Sequence, residues 1–212
     1  MFSLNPFPNY FKENPISEND KNKLIEFCKL ETFRKVEGGA YIMFYDECQD
    51  KDIRSILNKI SKQAKDVLKN HFMVFLNQKL DEIKIKKKLC DNFKYSIKQY
   101  GPFINIIPKN KFINGHRDGY NHFVIGIFYL GTTDGLETQT TSLLDGEQIL
   151  KLFGHEDDLN RDYSNINRIN YGNSKNSALF FFNSESAYHM VDNIIENDRI
   201  ILMLSFEIIV EK

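Results

Sequence analysis

The sequence predicts an α+β fold in which helices come first and a sandwich or double-sheet jelly roll, the cupin-type barrel included, follows. Three observations predict it. Between Asp52 and Leu89 there is no Pro or Gly, and Ile53, Ile56, Leu57, Ile60, Ala64, Val67 and Leu68 recur at helical spacing. After Cys90 the texture changes to short β-rich runs bounded by Gly, Pro, Asn and Asp. Helices and strands are segregated rather than alternating, which argues for α+β, and many closely spaced short strands favour two packed sheets. The 212 residues read as one domain, 1–212, with a mainly helical part over 1–90 packing on a β core over 91–212.

The first helix is "ISENDKNKLIEFCKL", with Ser17 as N-cap, Asp20 three positions on, and an apolar stripe of Leu24, Phe27 and Cys28. The Pro- and Gly-free stretch after Asp52 is too long for a single helix in a small domain, so a break is expected near Asn70. His71 falls close to its stripe and reads as a packed residue rather than a ligand. "KIKKK" (Lys84 to Lys88) reads as a solvated helix end, where the dipole favours positive charge. The strands are then "YSIKQYG", "FINIIP", "KFINGHRD", "HFVIGIFYL", "SALFFFN", "AYHMV" and "RIILMLSFEIIV". A polar insertion at about 143–176 interrupts them, with one short helix around Glu147 to Phe153. Its Asn, Asp, Ser and Gly content leaves little apolar surface, so it is expected to be a mobile segment that closes over substrate.

Composition excludes several functions. A formal charge of -1 provides no basic field to attract nucleic acid or an acidic membrane. The longest apolar run, "IILMLSFEIIV", is too short to cross a bilayer and contains Glu207. The N-terminal stretch lacks a basic leader followed by an apolar run, so a cytoplasmic location is expected. Cys28, Cys48 and Cys90 are odd in number and form no CxxC pattern, which argues against a disulfide framework or a zinc site.

The chemistry concentrates in "NGHRDGYNHF". His116 and Asp118 are two apart, so on an extended segment both point the same way. Two imidazoles and one carboxylate on one face of a metal, with open positions opposite, suit iron(II). "SAYHMVDN" supplies His189 from a distant run of strand character. Ten positions later Arg199 opens the final strand, along which Arg199, Ile201, Met203 and Ser205 face one way and Ile200, Leu202, Leu204 and Phe206 the other. The second set would pack under helices. The first would line a cavity with a guanidinium at its end, suited to grip a carboxylate. A rival pair, His155 and Asp157, sits in the insertion with no alternating strand behind it, and His122 reads as a strand-edge residue.

These residues resemble the pattern of the iron(II)- and 2-oxoglutarate-dependent oxygenase superfamily, nearest to its prolyl-4-hydroxylase-like branch. That pattern is His-x-Asp, a distant His, and a basic residue about ten positions later, matched by His116, Asp118, His189 and Arg199. "YLGTTDGLETQ", "NSALFFFNSESAYHMVDNIIENDRIILMLSF" and "PFPNYFKENPISENDKNKLIEF" are similar to other segments of the branch. The insertion lies outside the resemblance.

The resemblance implies a double-stranded β-helix core, iron(II) held by His116, Asp118 and His189, 2-oxoglutarate and O2 as cosubstrates, and admits ascorbate. It gives Arg199 the distal carboxylate of 2-oxoglutarate. Tyr129 falls at a position that often contacts it, although its strand parity also fits a buried core tyrosine. Ser205, on the Arg199 face, is the third candidate contact. The chain departs from the pattern at Ile107, where a tyrosine is common, and at Leu136, where a glycine is common. The implied reaction is hydroxylation of a prolyl or other side chain of a peptide or protein, or of a small molecule, with release of succinate and CO2. The alternative is a non-catalytic jelly-roll module that binds a metal or ligand.

Overall fold

The computed structural model describes residues 1–30, 33–35, 40–109, 113–132, 141–153, 162–170, 176–191 and 198–211. Helix α1 spans Glu18–Leu30, and Ser17 Oγ accepts from the Asp20 N–H at 3.1 Å, the N-cap expected from sequence. Helix α2 spans Lys51–Val67, capped by Asp50, whose carboxylate accepts from the Asp52 and Ile53 N–H groups at 2.8 and 3.0 Å. Its stripe of Ile53, Ile56, Leu57, Ile60 and Ala64 is buried throughout. The expected break is present. A π-helical turn at Leu68–Phe72 and a 3₁₀ turn at Met73–Phe75 separate α2 from α3 at Leu76–Lys87. Helix α3 stops where Lys88 turns left-handed at φ 54, with Lys84, Lys86 and Lys87 in its last turn.

Two antiparallel sheets follow from twelve strands among the described residues: β1 (Phe2–Ser3), β2 (Asn9–Glu13), β3 (Arg34–Lys35), β4 (Tyr41–Met43), β5 (Tyr95–Ile107), β6 (Ile113–His116), β7 (His122–Thr132), β8 (Ser142–Leu144), β9 (Arg168–Asn170), β10 (Ser177–Phe182), β11 (His189–Val191) and β12 (Arg199–Val210). The large sheet runs β1-β2-β10-β7-β12-β5-β4-β3 and the small one β6-β11-β8-β9. From β5 onward the chain shuttles between them. β5, β7, β10 and β12 join the large sheet, while β6, β8, β9 and β11 join the small one.

Strand parity decides what each face of the large sheet buries. Ile200, Leu202, Leu204, Phe206 and Ile208 of β12 pack with the α2 stripe, Phe72 and Ile83, forming the larger core. Ile125, Ile127 and Tyr129 of β7, Leu179 and Phe181 of β10, and Ile201 of β12 form a second core with Leu143 and Ala187. Each fully buried aliphatic contributes about 1.5–3 kcal/mol.

Two sequence expectations change here. "YSIKQYG" and "FINIIP" are one strand, β5, not two. Its pairing with β12 shifts between Met203↔Phe103 and Ser205↔Tyr100, so a bulge at Gly101 and Pro102 bends the strand without ending it. Gly101 has φ +79, and a Cβ there would lie 2.6 Å from the Met203 carbonyl oxygen, so only glycine fits. The insertion at 143–176 is also more structured than its polarity suggested. It contributes the rest of β8, helix α4 (Gly146–Phe153, the short helix expected) and β9. Leu144, Ile149, Tyr163 and Ile166 form an apolar cluster with Tyr188 and Met190, which lie beyond the insertion. Its few apolar residues suffice because the β11 region completes the cluster. Within its described residues the segment is a packed part of the small sheet, not a free flap. Residues 154–161 and 171–175, including the rival pair His155 and Asp157, lie outside the described residues. No helix among the described residues is long and apolar enough to cross a membrane.

Candidate metal centre

Strand register brings the distant histidines together. β6 pairs antiparallel with β11, and His116 and His189 are direct partners. Opposed residues of adjacent strands hold their Cβ atoms about 4.5–5.5 Å apart, and the two imidazole centroids are 4.3 Å apart. Strand β6 ends at His116, so Asp118 lies on the connection to β7 rather than on the strand itself. It still turns to the same point: His189 Nε2 lies 3.5 Å from Asp118 Oδ2. One ligand atom from each of His116, Asp118 and His189 lies within 4.8 Å of the others.

The surroundings of His189 suit a metal ligand. It is buried, its ring packs 4.8 Å from that of Phe181, and its Nδ1–H donates to the Ala187 carbonyl at 3.4 Å. That bond leaves the Nε2 lone pair directed toward Asp118. Burial lowers the His189 pKa to about 4; Asp118 opposes this and His116 adds to it. The imidazole is therefore neutral near pH 7, as coordination requires. Asp118 Oδ2 is buried and has no hydrogen-bond partner among the described residues. A carboxylate oxygen in that condition costs several kcal/mol, on the order of, unless a cation meets it. Two imidazoles beside it fit a divalent transition metal such as iron(II).

Arg199 is 3% exposed at the start of β12, in register with Ile107 of β5 and Thr132 of β7. Tyr129, 1% exposed, lies close enough that its phenol and the Arg199 guanidinium interact electrostatically. Its hydroxyl donates to Thr141 Oγ1 at 2.5 Å and accepts from the Thr141 N–H at 3.0 Å. Burial pushes the phenol pKa up, so it stays protonated. The structure groups Arg199, Tyr129 and Thr141. Ser205 stands apart from them, six residues along β12 from Arg199, about 20 Å on an extended strand, and its hydroxyl donates to Glu207 Oε1 at 3.4 Å.

The two remaining histidines in the described part are accounted for. His122 Nδ1 lies 3.3 Å from Glu207 Oε1 at the edge of β7, and His71 stacks on Tyr10 at 4.3 Å.

Among the buried polar residues that sequence reading passed over, two stand out. Asn105 of β5 is 7% exposed and in register with Ile201, one inward position along from the Arg199 row. Its Nδ2 donates to Met203 Sδ at 3.0 Å, and its buried Oδ1 has no partner among the described residues. The available signal was an Asn at inward parity in an isoleucine-rich strand. The other is Lys79 on α3, 2% exposed, at helical spacing from the core residue Ile83.

In sequence the chain matches no family model and no curated protein. Among solved structures it is similar to a prolyl-4-hydroxylase of Pseudomonas putida, at 12% identity and TM-score 0.58, covering 94% of this chain and 91% of that one. It is similar to a prolyl hydroxylase of Trichoplax adhaerens, solved with a peptide of hypoxia inducible factor, at 10% identity and TM-score 0.57, covering 96% and 85%. A non-heme alpha-ketoglutarate-dependent epimerase from nogalamycin biosynthesis matches at 8% identity and TM-score 0.54, covering 94% and 78%. The chain thus has the fold of prolyl-4-hydroxylases and of alpha-ketoglutarate-dependent enzymes with other reactions. Fold alone does not choose among those reactions.

Proposed function

We propose that this chain is an iron(II)- and 2-oxoglutarate-dependent dioxygenase of the prolyl-4-hydroxylase-like branch, one domain over 1–212 built on a double-stranded β-helix. The observation that carries the reading is the pairing of His116 with His189 beside a buried Asp118 oxygen that has no hydrogen bond among the described residues. The alternation of strands between two sheets and the likeness to prolyl-4-hydroxylases support it.

His116, Asp118 and His189 would hold iron(II) from one side. Arg199, at the buried start of β12, would donate to the distal carboxylate of 2-oxoglutarate, a charge-assisted contact worth about 1.5–3 kcal/mol. The hydroxyls of Tyr129 and Thr141 and the Asn105 carboxamide are the further polar groups for the cosubstrate. Ile125, Ile127, Leu179 and Phe181 exclude water from the space between the sheets, which strengthens each of these contacts. With iron(II), 2-oxoglutarate and O2 in place, the centre supplies an oxidation that releases succinate and CO2 and leaves a hydroxyl on the substrate.

The substrate class proposed is a prolyl or other side chain of a peptide or protein, with a small molecule as the alternative. The peptide-bound Trichoplax adhaerens relative supports the first. The test is spectroscopic. Anaerobic addition of 2-oxoglutarate to the iron(II) protein should produce a weak visible charge-transfer band that His116→Ala and Asp118→Ala both lack. A band that survives His116→Ala would move the metal elsewhere.

A further inference from the structure

Lysine is almost never fully buried without a partner, yet Lys79 is 2% exposed and belongs to no part of the proposed chemistry. Its ammonium, carried on α3, donates to the Asn183 backbone carbonyl at 2.5 Å and to Glu82 Oε2 at 3.2 Å. Asn183 follows β10 directly and is 1% exposed. Its carboxamide donates to the Gly119 carbonyl at 3.0 Å and the His122 carbonyl at 3.2 Å, and its backbone N–H donates to the Phe123 carbonyl at 3.0 Å. Gly119 and His122 close a turn of their own, with the His122 N–H donating to the Gly119 carbonyl at 3.0 Å. That turn begins one residue after Asp118.

The same two connections are joined on their other side. Arg117 Nη1 donates to the Glu185 carbonyl at 3.0 Å, and its guanidinium lies 5.2 Å from the centre of the Tyr188 ring, next to His189. Helix α3, the connection leading to His189 and the connection bearing Asp118 therefore form one hydrogen-bonded unit, with Lys79 at its root.

We infer that Lys79 is a positioning residue for the metal centre: acting through Asn183, it fixes the turn that aims the Asp118 carboxylate at His189. The inference rests on the metal reading proposed above. It draws on a bond chain rather than on any residue that touches the ion. Groups that orient ligands from one layer out typically govern metal affinity by about 10- to 100-fold.

A lysine that only holds α3 against the β core would affect stability and leave metal affinity alone, so the test measures both. The probe is cobalt(II) alone, titrated into the full-length metal-free chain and followed by its visible absorption, with thermal unfolding of the metal-free protein measured in parallel. Lys79→Met keeps the length of the stem and removes the ammonium. It should weaken cobalt(II) binding about 10- to 100-fold. Asn183→Ala removes the next link and should produce a loss of similar size. The two together should lose no more than the larger single loss, because they act in series. Lys86→Met removes an exposed ammonium on the same helix as Lys79, paired with Glu185 beyond β10 at 3.6 Å, and should leave affinity unchanged.

Unchanged cobalt(II) affinity in a folded Lys79→Met protein overturns the inference. If that variant does not fold, Asn183→Ala decides alone, and unchanged affinity there overturns it equally. A wild-type chain that takes up no metal overturns the metal reading and this inference with it, an outcome distinct from uptake that is indifferent to Lys79.

Discussion

The two faces of the large sheet bury different chemistry. On the helix side, the four long central strands present Ile104, Ile106, Val124, Phe128, Leu130, Ala178, Phe180, Phe182, Ile200, Leu202, Leu204, Phe206 and Ile208, and half-buried Gln99 of β5 donates there to Ser61 Oγ of α2 at 2.8 Å. On the side facing the small sheet, the same strands bury Asn105, Tyr129, Arg199 and Ser205 among isoleucine, leucine and phenylalanine. Both faces are removed from water. The outer one meets its carboxamide with a hydroxyl from α2, whereas the inner one buries a guanidinium, a carboxamide and two hydroxyls, each of which costs free energy unless something meets it. The difference teaches that the outer face chiefly secures the fold, while the inner face concentrates the buried polar groups that the proposed reading gives to the cosubstrate.

The largest expected effect tests that division from the outer side. Leu57 is fully buried under the helix-facing surface. Leu57→Ala should lower stability by about 2–5 kcal/mol in a denaturant titration and leave the metal affinity of the folded protein unchanged. A matching fall in metal affinity would erase the distinction between the faces.

Next comes pH. The buried His189 imidazole has a pKa of about 4, below the ordinary value of 6.5 that it regains on unfolding. Between those values the unfolded chain binds more protons, so stability rises with pH across the window. His189 thus contributes stability that is fully present above pH 6.5 and is lost as the pH falls toward 4, on the order of 3 kcal/mol in the metal-free protein. Unfolding titrations at several pH values should show the slope in wild type and lose it in His189→Asn. An equal slope in the variant would assign it to other groups.

The smallest effect sharpens the inner face itself. Arg199→Ala should weaken 2-oxoglutarate binding by about 1.5–3 kcal/mol, roughly ten- to a hundredfold, while iron(II) binding measured separately stays nearly intact. Equal losses of both would mean that Arg199 holds the sheets together rather than the cosubstrate.

Much of this contrast was legible in the sequence because strand parity is strict. Side chains alternate with a period of two, so the positions of Arg199 and Ile200 settled which residues of β12 met the helices. His116, Asp118 and His189 were legible as ligand types, but their meeting depends on the β6–β11 register, which no local pattern encodes. The break after α2 followed from length and composition. The bulge at Gly101 was not legible as such, since Gly-Pro reads equally well as a turn between two strands. Strands β8 and β9 are three residues each, and the apolar cluster of Leu144, Ile149, Tyr163 and Ile166 beside them is completed by Tyr188 and Met190, supplied from elsewhere in the chain. Lys79 looked like any helix lysine until Asn183, 104 positions away, was brought to its ammonium.

The most direct test of the central claim is succinate formation from 2-oxoglutarate by the iron(II)-loaded chain in air, with and without proline-containing peptides. The account predicts measurable succinate from wild type, more with a true substrate present, and none from Asp118→Ala. Wild-type protein that binds both iron(II) and 2-oxoglutarate yet forms no succinate under any of these conditions would contradict it and leave a binding module in the shape of an oxygenase.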